Sequence, residues 1–211
     1  MSEYQYYEFQ AIDRPLTAEQ MSQLRRYSSR ARITPTSFVV EYNWGDFKGN
    51  EDAWMDQYFD AFLYVANWGT HVLKLRLPVY LLDLATAAAY CGAEPASPRE
   101  HAGHVVISFN ADDEPDDDWV EGDGILASLV TVRAELARGD RRALYLGWLR
   151  RAQAEDLDDA DEEPEVPAGL RELSAALASL TAFLRLDGDL LHVAAEASAP
   201  LSASVPGPPR R

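Results

Sequence analysis

The chain has 211 residues, 47% of them apolar, and its 35 acids against 19 lysines and arginines give a formal charge of −16. That length carries a sizeable core, while the charge argues against direct contact with nucleic acid or an anionic membrane, whose phosphates would repel it. A single cysteine, Cys91, excludes an intrachain disulfide and fits a reducing compartment.

The acidity is uneven: residues 1–108 hold 13 acids and 9 bases, residues 109–211 hold 22 and 10. The start MSEYQYYEFQ has no basic stretch followed by an apolar run, and nowhere do about 18 apolar residues run uninterrupted. A cytoplasmic protein without membrane contact is expected.

In chain order, YQYYEFQAI reads as an aromatic-rich strand. Thr17 with Gln20 three residues on is a capping box, and the helix it opens should run to about Ser28 with Leu16, Met21, Leu24 and Tyr27 as its buried stripe. Residues Ile33 to Tyr42 read as one strand, with Pro35 near its start or on an edge. Gly45 and Gly49 bracket the turn WGDFKGN, after which Asn50 caps a long helix to about Asn67. THVLKLRLP is a strictly alternating strand, followed by a short helix from Tyr80 to about Tyr90 and a further strand HVVISFN.

Two acidic stretches, 112–123 and 155–165, carry eight acids each and read as solvated connectors. Amphipathic helices are expected over Ile125–Arg138 and Asp140–Ala154, separated by a Gly139 stop and an Asp140 cap, then over Leu170–Leu184 and Asp187–Glu196. The expected fold class is α+β: residues 1–111 form a mixed or antiparallel sheet of about four strands with packed helices. An acidic loop 112–124 leads to an all-helical part 125–198 containing acidic loop 155–168, and 199–211 is a Pro/Ser-rich tail without fixed structure.

The stretches YYEFQAIDRPLT, WGDFKG, YFDAFLYVANWGT and GDGILASLVTVRAELARGDRRALYLGWL resemble those of a bacterial family of conserved hypothetical proteins, over roughly residues 4–198. The resemblance implies no activity, cofactor or catalytic residue.

Chemistry-bearing residues are sparse. Cys91, His101 and His104 form a Cys…His-x-x-His series, but zinc needs three or four well-placed ligands and there is no second cysteine, so a metal site is not expected. Asp52, Asp56 and Asp60 recur at one-turn spacing on the expected long helix, where they read as a solvated face; a divalent cation or shared proton is the alternative. Neither G-x-S-x-G, G-x-G-x-x-G nor a P-loop occurs, and the acids beside Gly122 and Gly124 would repel a phosphate. Basic residues concentrate only at Arg14, Arg25, Arg26, Arg30 and Arg32, where the helix dipole accounts for two of them and an anion site or a dock for the acidic loops is the sharper reading.

The aromatic turn carries the most weight. Trp44 and Phe47 either plug the corner between sheet and helix or protrude, with Asp46 holding the turn. The leading expectation is an intracellular, non-enzymatic interaction module that binds a protein partner of basic character through Trp44, Asp46, Phe47, Lys48 and Trp68, with no cofactor and no metal. One alternative is an acidic mimic of nucleic acid that inhibits a DNA-binding protein. Another is an enzyme using carboxylates or a metal at Asp52, Asp56 or Asp60.

Overall fold

The computed structural model describes residues 3–92, 94–112, 121–154 and 162–201. The chain is α+β, built on a seven-stranded sheet in which every neighbouring pair is antiparallel, where about four strands were expected. The strands are β1 (Gln5–Gln10), β2 (Arg32–Thr34), β3 (Ser37–Tyr42), β4 (Ala61–Ala66), β5 (Thr70–Pro78), β6 (Ala96–His101) and β7 (His104–Asp112). Their order across the sheet is β2-β3-β1-β4-β5-β7-β6.

Three departures produce the added strands. The expected single strand Ile33–Tyr42 is a hairpin whose turn holds Pro35, a residue that cannot donate to a ladder. The expected long helix ends early: α2 spans Glu51–Gln57, and the chain turns at Asp60 into β4. Residues 61–66 are apolar throughout, so a helical stripe can be drawn through them, but Phe, Leu, Tyr and Val suit a strand buried on both faces. Strand β6, ASPREH, has no apolar signal because it lies at the sheet edge, joined to β7 through Ala102 and Gly103, both at positive φ.

Capping chemistry sets the helix starts. Helix α1 (Ala18–Arg25) opens with the Thr17–Gln20 capping box, and α2 with Asn50, whose Oδ1 accepts from Ala53 N at 2.8 Å. Helix α1 stops short of Ser28, with Leu16 and Leu24 buried and Tyr27 exposed. Helix α3 is Leu84–Ala88, shorter than expected. After β7 come α4 (Ile125–Leu129), α5 (Thr131–Ala137), α6 (Arg142–Gln153), α7 (Ala175–Phe183) and α8 (Gly188–Ala197). These helices form no separate bundle: Leu126, Leu136, Leu144 and Leu177 share one core with Leu63, Leu73, Leu75 and Ile107 of the sheet. None of the helices among the described residues is long and apolar enough to cross a membrane.

The other sheet face has a smaller core, Phe9, Phe38, Phe62 and Val40 beneath Leu24 of α1 and Trp54 and Met55 of α2. Helices α1 and α2 reach only part of it. The consequence is visible in the register: Phe38, Phe9, Phe62, Lys74, Ser108 and Ser97 form one row across six strands, aromatic under α1 and α2 and small or charged beyond them.

Candidate functional site

Strand β3 ends at Tyr42, and the chain crosses to α2 through residues 43–50. Gly45, at φ 80°, lets this crossing fold back so that its carbonyl accepts from Gln5 Nε2 at 3.0 Å; Asp46 Oδ1 meets the same amide nitrogen at 3.5 Å. The two aromatic residues of the turn then part company. Phe47 points inward, stacked on Tyr7 with centroids 4.9 Å apart and edge-on to Trp54 at 4.9 Å. Gly49 makes that plug possible, because a Cβ there would stand 2.4 Å from the Phe47 ring and 2.9 Å from Trp54.

Trp44 points outward and is 67% exposed. The Arg30 guanidinium lies over its ring, 4.6 Å from the centroid, a cation–π contact that holds the indole in place. Tyr27 is exposed on one side and edge-on to buried Trp54 on the other, at 5.1 Å. Together Tyr27, Ser29, Arg30, Trp44, Asp46 and Lys48 line a depression of about 330 Å³. Asp46 and Lys48 are both exposed at its rim.

Trp68 occupies the hairpin between β4 and β5 and is 41% exposed. Tyr42 and Ala66 both register with Gln5, so the Trp44 and Trp68 segments lie at the same end of the sheet, one on each side of β1. Trp68 does not line the depression. Tyr80, expected to open a short helix, stands instead in the turn after β5 and is 83% exposed.

The basic cluster resolves into separate tasks. Arg25 Nη1 donates to the carbonyls of Ser28, Ser29 and Ala31, fixing the chain after α1, and Arg32 sits 3.8 Å from Asp123 in an exposed pair. The acidic stretches fall mostly on 113–120 and 155–161, outside the described residues. Of their flanks, Glu163 accepts from Tyr145 Oη at 2.6 Å and Asp112 from Thr70 Oγ1 at 2.8 Å.

The three helix acids do not form one solvated face: Asp52 stays exposed, whereas Asp56 and Asp60 are largely buried. Asp52 pairs with Lys74 at 2.8 Å and Arg99 at 3.5 Å, Asp56 with Arg99 at 2.8 Å, and Asp60, beyond the end of α2, with Arg76 at 3.1 Å. Burial works to raise the Asp52 carboxyl, yet Lys74 and Arg99 hold it below the usual carboxylate value. Each acid is thus neutralised by a cation on the sheet, which leaves no open ligand set. Among the described residues no group of three or more His, Cys, Asp or Glu is placed to hold a metal.

Cys91 is fully buried, its thiol 3.7 Å from the Leu144 carbonyl, and burial pushes its pKa up to about 12. It is far from a nucleophile. Gly122 packs on the Tyr6 ring, where a Cβ would approach to 2.1 Å, and its N–H donates to Tyr4 Oη at 3.2 Å. The G-x-G is therefore a packing device for the chain entering α4.

Compared with known proteins, the chain matches no family model, no curated protein and no solved structure.

Proposed function

We propose that this chain is an intracellular, non-enzymatic interaction module that docks a protein partner on the Trp44 corner. The observation that carries the reading is a tryptophan two-thirds exposed and pinned by Arg30 beside a depression of about 330 Å³. An indole held at low conformational cost, next to an arginine and a tyrosine, is the composition that dominates binding energy in interfaces. Phe47 contributes by anchoring the turn from below, and Asp46 and Lys48 form the polar rim. The formal charge of −16 steers the encounter toward a basic partner.

Support for a non-enzymatic role comes from the committed state of the ionisable groups. Asp52, Asp56 and Asp60 are ion-paired and the single thiol is buried. The test is quantitative affinity capture from a native lysate with the wild-type chain, Trp44→Ala, and Tyr80→Ala as a control at an even more exposed aromatic. Loss of specific partners with Trp44→Ala alone is expected. An identical partner set for all three baits rejects the reading.

A further inference from the structure

Tyr7 of β1 registers with Tyr64 of β4, and Tyr64 with Val72 of β5, so these three side chains stand in one row on the sheet face that α1 and α2 cover only in part. Phe47 comes down on Tyr7 from the turn, and Phe62, two residues before Tyr64, shares its face. Among them lies a cavity of about 250 Å³, lined by these five side chains with Gly49 and Glu51. That volume is below the range of sites for drug-sized molecules and admits a compact one. Tyr7, Phe47, Tyr64 and Val72 all keep accessible surface.

The rings are fixed in advance. Tyr7 Oη and Tyr64 Oη both donate to Gln5 Oε1, at 2.7 and 3.2 Å, and Gln5 is buried with its amide nitrogen on the Gly45 carbonyl. The Tyr7 ring is 4.9 Å from Phe47 and 4.7 Å from Tyr64. An aromatic group already ordered loses little freedom when a ligand arrives.

Glu51 is the charged side chain of the lining. Its carboxylate is 45% exposed, and its ion pair with Lys74, at 3.8 Å, is too long for a hydrogen bond. Lys74 belongs instead to Asp52, at 2.8 Å; it lies outside the lining, 5.7 Å from the Phe62 centroid, so one ammonium already rests against this aromatic group. Burial is the first cause that raises the phenol pKa values of Tyr7 and Tyr64, and the charges of Glu51 and Asp46 raise both further. The field at the rings therefore repels an anion and attracts a cation.

Hydrogen bonding narrows the cation. A primary ammonium or a guanidinium brings several N–H donors, but both phenol hydrogens are committed to Gln5 and Glu51 is the one charged acceptor, so donors would be left unmet. A quaternary ammonium has no N–H to satisfy and sets its positive methyl groups against aromatic faces.

We propose that this cavity binds the quaternary ammonium group of a small organic cation, with Tyr7, Phe47, Phe62 and Tyr64 as its aromatic walls and Glu51 as its counter-ion. It shares no lining residue with the depression at Trp44, so either site can fail without the other.

The experiment is a titration of the full chain, followed by amide ¹H–¹⁵N correlation spectra, with choline and tetramethylammonium as probes. Ethanolamine, the primary-amine counterpart of choline, and neohexyl alcohol, in which carbon replaces its nitrogen, are the controls. Saturable shifts at Tyr7, Phe47, Gly49 and Tyr64 are expected, with choline bound at least about tenfold more tightly than either control. Tyr64→Phe should keep this binding and Tyr64→Leu should weaken it. Glu51→Gln, at the exposed start of α2, should weaken choline and leave neohexyl alcohol unchanged, and it decides the matter if Tyr64→Leu lowers the melting temperature. Trp44→Ala should bind choline as the wild type does. The proposal is overturned by no saturable shift at these residues with either quaternary probe, by a control that binds as tightly as choline, by choline affinity unchanged in folded Glu51→Gln, or by its loss in Trp44→Ala.

Discussion

Asp60 and Arg76 meet at 3.1 Å where α2 gives way to β4, and the other Asp60 oxygen accepts from the backbone amides of Ile12 and Asp13 at 2.7 and 2.9 Å. Their side chains are 5% and 16% exposed. Arg133 of α5 extends the network, donating to the Arg76 carbonyl at 2.6 Å and pairing with Asp13 at 2.5 Å. One carboxylate therefore ties together the end of β1, the turn into β4 and β5.

Removing that carboxylate leaves a largely buried guanidinium and two amides without their partner. Asp60→Ala is expected to cost about 3–5 kcal/mol, and Asp60→Ala with Arg76→Leu less than the sum of the two single changes. Urea denaturation of the three variants measures both. A single-variant loss below about 1 kcal/mol would show that the network contributes little.

Trp44 and Phe47 are three residues apart but should respond unequally to truncation. Phe47→Ala opens space among Tyr7, Phe9 and Trp54 and is expected to cost about 2–3 kcal/mol, somewhat below a fully buried phenylalanine. Trp44→Ala loses one exposed cation–π contact and should cost about 0.5–1 kcal/mol. Thermal melts of both variants decide it; equal losses would contradict the inward and outward placement.

Asp140 illustrates the pH dependence. Burial works to raise its carboxyl pKa, but hydrogen bonds from the Arg142 side chain and backbone, with the Arg142 charge, hold it below the ordinary 3.8. A folded value below the unfolded one means the stabilisation is present in full above 3.8 and fades as pH falls through the folded value. Asp140→Asn should therefore be less stable than the wild type near neutrality, and the gap should close in strong acid. Denaturant titrations at a series of pH values measure it, and a gap that stays constant would refute the assignment.

Cys91 should be inert. With its thiol buried and its pKa pushed up to about 12, a thiol-specific disulfide reagent at mildly alkaline pH should not modify the native chain, and should modify one equivalent in denaturant. Rapid native modification would place the thiol at the surface.

The parts of this protein that could be read along the chain are those decided within a few residues. Thr17 with Gln20, Asn50 and Asp187 start helices because a side-chain oxygen reaches backbone amides two or three residues ahead, whatever else surrounds it. The strand β5 was legible for a related reason: its alternation records one face in the core and one against Asp52 and Asp60. The turn between Gly45 and Gly49 was likewise recognisable as a turn, yet the opposite fates of Trp44 and Phe47 were not.

Those fates, and the shape of the sheet, were set by contacts distant in sequence. Residues 61–66 could serve as helix or strand by pattern alone, and the open ladders of β1 and β5 on either side make them a strand. Strand β6 carries almost no apolar signal and exists because β7 offers it an edge. The spacing of Asp52, Asp56 and Asp60 suggested one helical face, whereas their cations come from β5 and β6, which only the folded sheet brings beneath them. Local hydrogen bonding and composition determined the helix starts, the charge and the α+β class; strand pairing, a long-range interaction, decided which aromatic residue faces water and which cations meet Asp52, Asp56 and Asp60.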